Sequence, residues 1–307
     1  MPRLIKPRAI GPGARIGIAA PGGPVDPGKL EQGEAVLRGA GFEPVRRDDL
    51  LARRGYLAGD DARRAGELMA FVEDPRVDAV ICARGGYGCC RILDALDAAA
   101  VRAARKPLVG YSDVTALLLW QRRVAGLVGF HGPMLEHGAE LAPAALDSLV
   151  DELTGAAPRP LLLQGIGRGG GSAEGRLIGG NLVLVTASLG TRWELNARGA
   201  ILLIEEVGEY PYRIDRMLQQ LRGAGKLEHL VGVGVGDLSS CVDERFPEPS
   251  AEQVIEEIVA PLGVPLVTGL PIGHLKANRT WPFGVRANID GARGEIRILE
   301  RGVQRRT

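Results

Sequence analysis

The chain has 307 residues, more than one hydrophobic core usually takes, so we expect two domains. Its 38 basic residues are balanced by 37 acidic ones, and only 4% of its residues are aromatic. These values exclude the basic surface and the stacking platforms that are typical of nucleic-acid-binding proteins. No stretch approaches the ~18 apolar residues that a membrane span requires.

The N-terminal segment also lacks the apolar core of a signal peptide, because proline and glycine interrupt it. Neither a disulfide framework nor a C-x-x-C zinc pattern is formed by the four cysteines, Cys82, Cys89, Cys90 and Cys241. The dinucleotide pattern G-x-G-x-x-G does not follow the first predicted strand. We therefore expect a cytoplasmic protein with reduced thiols and with no metal, no cofactor, no nucleic-acid partner and no membrane partner.

Apolar runs alternate with helical periodicity through the first half of the chain. Strands are predicted at 14–20, 42–45, 77–82, 106–110 and 126–130, and helices at 28–40, 60–73, 115–120 and 143–153. This alternation predicts an α/β fold with a parallel, doubly wound sheet. In such sheets ligands bind beyond the carboxyl ends of the strands, where Gly85, Gly86, Ser112 and His131 lie.

The pattern changes after a segment rich in glycine and proline, 155–171, which predicts a linker. We place an N-terminal domain at 1–154, the linker at 155–174 and a C-terminal domain at 175–307. Strands in the second half are predicted at 199–204, 230–235, 265–268, 280–289 and 294–299. Helices are predicted at 182–189, from Tyr212 to Leu221, and at 251–258.

Ser112 lies where the predicted strand 106–110 turns sharply into a helix. A serine at such a corner holds its hydroxyl above the sheet, as in a nucleophile elbow. The usual elbow pattern is G-x-S-x-G, and Val114 replaces its second glycine here. The alternative is that Ser112 or Asp113 only caps the helix.

Three glycines follow the predicted strand 77–82, in the sequence Arg84-Gly85-Gly86-Tyr87-Gly88. Glycines at this place allow backbone N–H groups to approach a ligand closely. The alternative is a tight turn without a chemical role. For Arg84 we consider two roles, a bidentate pair with a substrate carboxylate and a structural ion pair.

A serine nucleophile needs a positioned base, and the chain has four histidines. His229 and His137 lie in polar stretches. His274 directly follows an apolar strand end and is the first candidate for the base, with His131 second. Structural roles stay open for both. A carboxylate that orients the imidazole is expected at a strand end, where Glu205, Glu206 and Glu209 follow the apolar run 200–204.

Four short motifs, taken in order, resemble the murein LD-carboxypeptidases, a serine peptidase family that includes the microcin C immunity hydrolases. They are R-G-G-Y-G at 84–88, G-Y-S-D at 110–113, I-E-E-V-G-E at 204–209 and G-H at 273–274. The resemblance also takes in H-G-P at 131–133, G-G-N-L at 179–182 and R-M-L at 216–218, and so covers almost the whole chain.

The resemblance implies a triad in which Ser112 is the nucleophile, His274 the base and Glu205 the acid that orients it. It implies an oxyanion hole formed by the backbone N–H groups of Gly86 and Asp113. Arg84 and Gly85 are candidates for substrate binding. It further implies a flavodoxin-like N-terminal domain, a β-rich C-terminal domain, a site between them, and a homodimer.

The activity implied by the resemblance is removal of D-alanine from murein tetrapeptide, without a metal, during cell-wall recycling. An alternative with the same chemistry is hydrolysis of a peptidyl-nucleotide antibiotic. The low aromatic content disfavours it slightly, because a nucleobase stacks on aromatic planes. An alternative of another class is a two-domain ligand-binding protein without catalysis, which would not need Ser112, Glu205 and His274 together.

Overall fold

The computed structural model describes residues 2–156 and 159–305 and divides the chain into two compact units. Unit 1 comprises Met1–Ala157, Arg279–Pro282 and Arg301–Thr307, and unit 2 comprises Pro158–Asn278 and Phe283–Glu300. The chain thus returns twice to unit 1 within the range 175–307, which we had assigned to one C-terminal domain.

The described residues form strands that we number in chain order. They are Arg15–Ala19 (β1), Glu43–Val45 (β2), Ala79–Cys82 (β3), Leu108–Gly110 (β4), Phe130–His131 (β5), Leu161–Gln164 (β6), Ile166–Gly167 (β7), Ser172–Asn181 (β8), Ala200–Glu205 (β9), Gly232–Val235 (β10), Leu266–Thr268 (β11), Trp281–Pro282 (β12), Arg286–Asp290 (β13) and Glu295–Ile298 (β14).

The α-helices are numbered in the same way. They are Pro27–Gly39 (α1), Asp61–Glu73 (α2), Cys89–Ile92 (α3), Ala98–Ala104 (α4), Thr115–Trp120 (α5), Pro143–Thr154 (α6), Leu182–Ala187 (α7), Pro211–Gly223 (α8) and Ala251–Val259 (α9). Short 3-10 helices occupy Leu93–Ala95, Ser112–Val114, Leu135–Glu140 and Ala260–Leu262, and a π-helix occupies Gln121–Ala125. In the described part of the chain no helix has the length and apolar character needed to cross a membrane.

Unit 1 contains a six-stranded sheet in the order β12-β5-β4-β3-β1-β2. Strands β1 to β5 are all parallel, and only β12 is antiparallel. Strands β1, β3 and β4 are almost entirely buried apolar runs, which is typical of a parallel sheet covered on both faces. The strand order 2-1-3-4-5 is that of flavodoxin-like sheets, and it confirms the predicted fold class.

The predicted strand 126–130 is mostly not a strand, and this part of the prediction is wrong. Gly126 has a φ of +67° and ends the preceding π-helix in the left-handed region. Val128 N–H donates to the carbonyl of Ile5 at 3.0 Å, and Leu127 forms an isolated bridge with Ile5. The N-terminal segment therefore takes up the backbone groups of 126–128, and β5 begins only at Phe130.

Unit 2 contains an eight-stranded sheet in the order β6-β14-β13-β8-β9-β10-β11-β7. Its centre, β8 to β11, is parallel, and the flanking strands are antiparallel. This is the β-rich α/β unit that we predicted. Two of its strands, β6 and β7, and the first residues of β8 lie within the range 155–174 that was predicted to be a linker.

The predicted strand 280–289 is split between the two units. Strand β12 pairs with β5 in unit 1, with Trp281 opposite His131. Strand β13 pairs with β8 and β14 in unit 2. Between them, Gly284 has a φ of +82° and donates its N–H to the carbonyl of Leu177 at 2.6 Å. The turn at Gly284 interrupts what reads in the sequence as one continuous strand.

Candidate active site

Ser112 lies at the strand-to-helix corner of unit 1, between the end of β4 and the start of α5. Its φ is +58°, in the left-handed region that non-glycine residues rarely adopt. Arg105 and Ser240 share this feature among the described residues, so the strain alone does not identify a site. A capping residue has an extended backbone, and the start of α5 has no side-chain capping hydrogen bond. Both facts argue against the capping interpretation of Ser112.

Val114, which replaces the second glycine of the elbow pattern, folds back on the first. A Cβ atom added to Gly110 would lie 2.6 Å from the Cγ1 atom of Val114. The N–H of Val114 donates to the carbonyl of Tyr111 at 3.1 Å and closes the turn around Ser112. The first glycine is therefore required at this corner, and the valine is compatible with the tight turn.

The Gly85–Gly86 loop lies directly against Ser112. A Cβ atom on Gly85 would stand 3.0 Å from the Cβ, 3.2 Å from the Oγ of Ser112, and 3.3 Å from the backbone nitrogen of Asp113. Gly86 has a φ of +85°, and the carbonyl of Gly85 accepts the N–H of Gly23 at 2.7 Å. Glycine is therefore needed at position 85, because a side chain there would meet Ser112 and the backbone of Asp113.

Two buried side chains fix these loops, and the sequence analysis did not assign either role. The carboxylate of Asp113 accepts the N–H of Cys89 at 2.8 Å. Arg64 is fully buried in α2 and donates from Nη1 to the carbonyls of Pro21 and Gly88, the latter at 2.8 Å. The signal that could have identified Arg64 is its position as a charged residue within the apolar stripe of α2, four residues before Leu68.

In unit 2, Glu205 and His274 form a short hydrogen bond. Glu205 is the last residue of β9 and is 0% exposed, and its Oε2 lies 2.7 Å from Nδ1 of His274. His274 keeps 17% of its side-chain surface exposed. Because Nδ1 is engaged in this contact, Nε2 is the nitrogen that could accept a proton from a nucleophile.

Gly273 allows this contact by its conformation and its lack of a side chain. Its φ is +113°, and a Cβ atom there would lie 2.9 Å from the Cβ of Glu205 and 3.0 Å from that of Asp237. Its N–H donates to the side-chain oxygen of Asn278 at 3.1 Å. The Gly-His pair at 273–274 therefore has a physical reason, since the glycine lets the histidine approach the buried carboxylate.

The other two acids after β9 point elsewhere. Glu206 accepts hydrogen bonds from the side chain of Asn181 at 2.8 Å and from the N–H groups of Val183 and Val207 at 3.0 Å. Burial raises the pKa of the Glu206 carboxyl above its ordinary value. Glu209 lies 3.3 Å from the Nη1 atom of Arg213. Of the three acids Glu205, Glu206 and Glu209, only Glu205 contacts the side chain of His274.

The remaining histidines have other surroundings. His131, our second candidate for the base, is fully buried in unit 1, where its ring stacks on Trp281 at 5.1 Å. His137 stacks on Tyr111, and its Nε2 lies 3.0 Å from the Tyr111 hydroxyl. His229 is exposed, as its polar sequence context indicated.

Arg84 makes the structural contacts that we considered as one of its two roles. Its Nη1 donates to the carbonyl of Pro24 at 2.9 Å, and its Nε lies 3.5 Å from a carboxylate oxygen of Glu136. The side chain is nevertheless 45% exposed, so these contacts orient the guanidinium without burying it. A role in substrate binding stays a prediction.

Within residues 2–156 and 159–305, histidine, cysteine and acidic side chains form no group of three or more that has the arrangement of a metal site. The thiols of Cys82, Cys89, Cys90 and Cys241 are free, and burial raises the pKa of each of them. Thiols with raised pKa values are poor nucleophiles, which leaves Ser112 as the better candidate.

Comparison with known proteins identifies the family. Residues 16–132 match the model of the LD-carboxypeptidase N-terminal domain, and residues 174–289 match that of the LD-carboxypeptidase C-terminal domain. The chain is 38% identical to a probable murein peptide carboxypeptidase of Bacillus subtilis, over 97% of this chain and 95% of that protein.

Two further relatives represent the two activities that the sequence analysis considered. The crystal structure of a muramoyltetrapeptide carboxypeptidase from Oxalobacter formigenes has a TM-score of 0.84 and 31% identity, over 92% of this chain and 97% of that chain. The microcin C7 self-immunity protein of Escherichia coli is 27% identical over 97% of this chain and 96% of that protein. The predicted resemblance is thus confirmed, and the chain belongs to the LD-carboxypeptidase family, peptidase family S66.

Proposed function

We propose that this chain is a serine-type carboxypeptidase that cleaves an L-D peptide bond and releases the C-terminal D-alanine of murein tetrapeptide. The observation that carries the proposal is the hydrogen bond between the buried Glu205 and Nδ1 of His274. A buried carboxylate in this position holds the imidazole in the tautomer that a general base requires. Relatives named as murein peptide carboxypeptidases support the substrate class.

Ser112 is the nucleophile in the proposed mechanism. His274 takes the hydroxyl proton of Ser112, and Oγ attacks the carbonyl carbon of the scissile bond. Glu205 stabilises the imidazolium that forms. The tetrahedral intermediate collapses and expels the amine of D-alanine, which takes the proton from His274. Water then attacks the acyl-enzyme with the same histidine as base, and Ser112 is regenerated.

The oxyanion is stabilised by the backbone N–H groups of Gly86 and Asp113 in this proposal. The approach of the Gly85–Gly86 loop to Ser112 supports the assignment. Each donor of this kind typically contributes about 3 kcal/mol to transition-state stabilisation. Arg84, next to Gly85, is assigned to the C-terminal carboxylate of the peptide. The reaction as proposed needs no metal and no cofactor.

We place this activity in the cytoplasm, in the recycling of cell-wall peptides, and expect the enzyme to be a homodimer. The family resemblance supports these assignments. Sedimentation equilibrium of the purified chain measures the oligomeric state directly.

The test of the proposed function is a mass-spectrometric product assay on murein tetrapeptide. The native chain should release D-alanine, and Ser112→Ala should lose about 10⁴-fold or more in turnover while keeping its fold. Ser240→Ala is the matched control, since Ser240 also has a φ of +58° but is exposed. Turnover by a well-folded Ser112→Ala variant within tenfold of the native chain would remove Ser112 as the nucleophile.

A second candidate is the hydrolysis of a peptidyl-nucleotide antibiotic, supported by the similarity to the microcin C7 self-immunity protein. The same assay with an aminoacyl-sulfamoyl nucleotide in place of the tetrapeptide distinguishes the two substrates. A non-catalytic ligand-binding protein is the alternative of another class. A serine-reactive phosphonate would label Ser112 of an enzyme and would leave such a binding protein unlabelled.

A further inference from the structure

A cavity of about 800 Å³ opens in unit 1 next to Gly86. Its wall consists of residues 23–27 after β1, Arg53 and Tyr56 after β2, and Arg84, Gly86 and Tyr87 after β3. All three segments follow the carboxyl ends of parallel strands, where ligands bind in sheets of this type. The cavity therefore shares a wall residue with the proposed oxyanion hole and extends away from it.

The size of the cavity is that of a site for a whole small molecule. Ligand sites commonly measure about 300 to 1,000 Å³, so one alanine residue would leave most of this space empty. Tyr56 and Tyr87 supply an aromatic wall, with ring centroids 5.6 Å apart in an edge-to-face arrangement. Both tyrosines are at least half exposed, at 66% and 51% of their residue surface. Such a wall suits the aliphatic and planar parts of a peptide.

The charged groups of the wall are two arginines and one aspartate. Asp26 already accepts the N–H of Lys29 and caps α1. Arg84 is oriented by Pro24 and Glu136. Arg53 is exposed, and among the described residues its one hydrogen bond is a long one, 3.4 Å from Nε to the carbonyl of Gly55. The terminal nitrogens of Arg53 are thus directed to no carboxylate of the described chain.

We infer that the part of this cavity lined by Arg53 and Tyr56 binds the peptide N-terminal to the scissile bond, while Arg84 in the same wall serves the C-terminal carboxylate, and that Arg53 selects substrates with a free carboxylate in that N-terminal part. A guanidinium pairs with a carboxylate through two parallel hydrogen bonds, which gives both geometry and affinity. The Tyr56–Tyr87 wall holds the adjoining peptide. This inference rests on the proposed function for the identity of the scissile bond.

The test compares two tetrapeptides that differ only in one internal group, a free carboxylate in one and its carboxamide in the other. The native chain should favour the carboxylate peptide about tenfold in kcat/KM, the size expected for one charge-assisted pair. Arg53→Gln should reduce this preference to about twofold or less. Arg54→Gln is the matched control, because Arg54 is a neighbouring exposed arginine outside the cavity wall.

Calorimetric titration of both peptides into the Ser112→Ala variant, with and without Arg53→Gln, measures the same preference without turnover. If the native chain cleaves neither peptide but Ser112→Ala binds the carboxylate peptide more tightly through Arg53, the proposed function fails, and the role of Arg53 as the carboxylate-binding residue of this cavity stands. An equal affinity of Ser112→Ala for the two peptides, or a preference that survives Arg53→Gln, would overturn the inference.

Discussion

Glu205 is the residue whose chemistry is easiest to isolate, because glutamine has nearly the same shape. Glu205→Gln would keep the contact with Nδ1 of His274 but favour the wrong imidazole tautomer, and it would no longer stabilise the imidazolium. An equivalent replacement in a related triad costs on the order of 10⁴ in turnover. We expect Glu205→Gln to lose at least about a hundredfold in kcat, measured with murein tetrapeptide.

Glu206→Gln and Glu209→Gln are the controls for this prediction, since both acids follow the same strand. Glu206 is bonded to Asn181 and to the start of α7, so its replacement should affect stability more than turnover. Glu209 contacts only Arg213 among the charged groups described. Should either control lose more turnover than Glu205→Gln, the triad acid would have to be reassigned.

The residue scale is also where sequence reasoning was most effective. Neighbouring side chains of a strand face opposite ways, so Glu205 and Glu206 cannot both orient one imidazole, and the family resemblance indicates Glu205. The partners of Arg84 could not be found in this way. Pro24 and Glu136 are about equally far from Arg84 in sequence, on opposite sides, and no local pattern connects them.

At the scale of elements, helix α2 holds the loops of the candidate site in place through Arg64. This one side chain bonds to the carbonyl of Pro21, after β1, and to that of Gly88, after β3. It also pairs with Asp61 in its own helix. The loop that approaches Ser112 therefore depends on an arginine that has no reason to contact substrate.

Arg64→Leu should lower the free energy of unfolding by about 3 kcal/mol, because it removes the Arg64 donor from the buried carbonyls of Pro21 and Gly88, the second of which keeps the N–H of Arg91. Arg38→Leu is the control, since Arg38 lies on α1 and pairs with Glu34 at 3.0 Å with most of its own side chain exposed. It should cost less than about 1 kcal/mol. Urea denaturation measures both. Equal stability of the Arg64→Leu variant and the native chain would show that the loops are held by other contacts.

Elements were predicted well where the pattern is local and poorly where pairing is distant. Helices α1, α2, α6 and α9 lie within a few residues of their predicted bounds, because capping and apolar periodicity mark them.

Strand β8 was not predicted, because its glycines hide any alternation of apolar and polar residues. The glycines exist for close packing: a Cβ atom on Gly179 would collide with the carbonyl of Leu203 in β9. Long-range pairing with β9 and β13 makes this segment a strand.

At the scale of the whole molecule, the chain crosses between two separately packed units. Unit 1 takes its edge strand and its final segment from the far end of the sequence. The backbone carbonyl of Gln304 accepts the N–H of Ala9 at 2.8 Å, and its backbone N–H donates to the carbonyl of Pro7 at 2.8 Å. These bonds tie the final segment to the N-terminal segment. Such closures join residues about 300 positions apart and leave no signal in a single sequence.

This interleaving makes a prediction about two residues close together in sequence. Trp281 is fully buried and stacks on His131 in unit 1, whereas Ile289 is fully buried and packs against Gly232 in unit 2. Trp281→Ala should cost about 3–5 kcal/mol and Ile289→Ala about 2–5 kcal/mol, because each leaves a cavity in one core.

Hydrogen exchange with peptide-level mass spectrometry shows in which unit each variant loses stability. In Trp281→Ala the amides of β4 and β5 should exchange faster while those of β9 keep their protection, since compact units open separately. In Ile289→Ala the pattern should be reversed, with β9 and β13 exposed and β4 protected. If either variant loosened β4 and β9 to the same extent, the two units would unfold as one cooperative body, and the separation of their cores would have no consequence for stability.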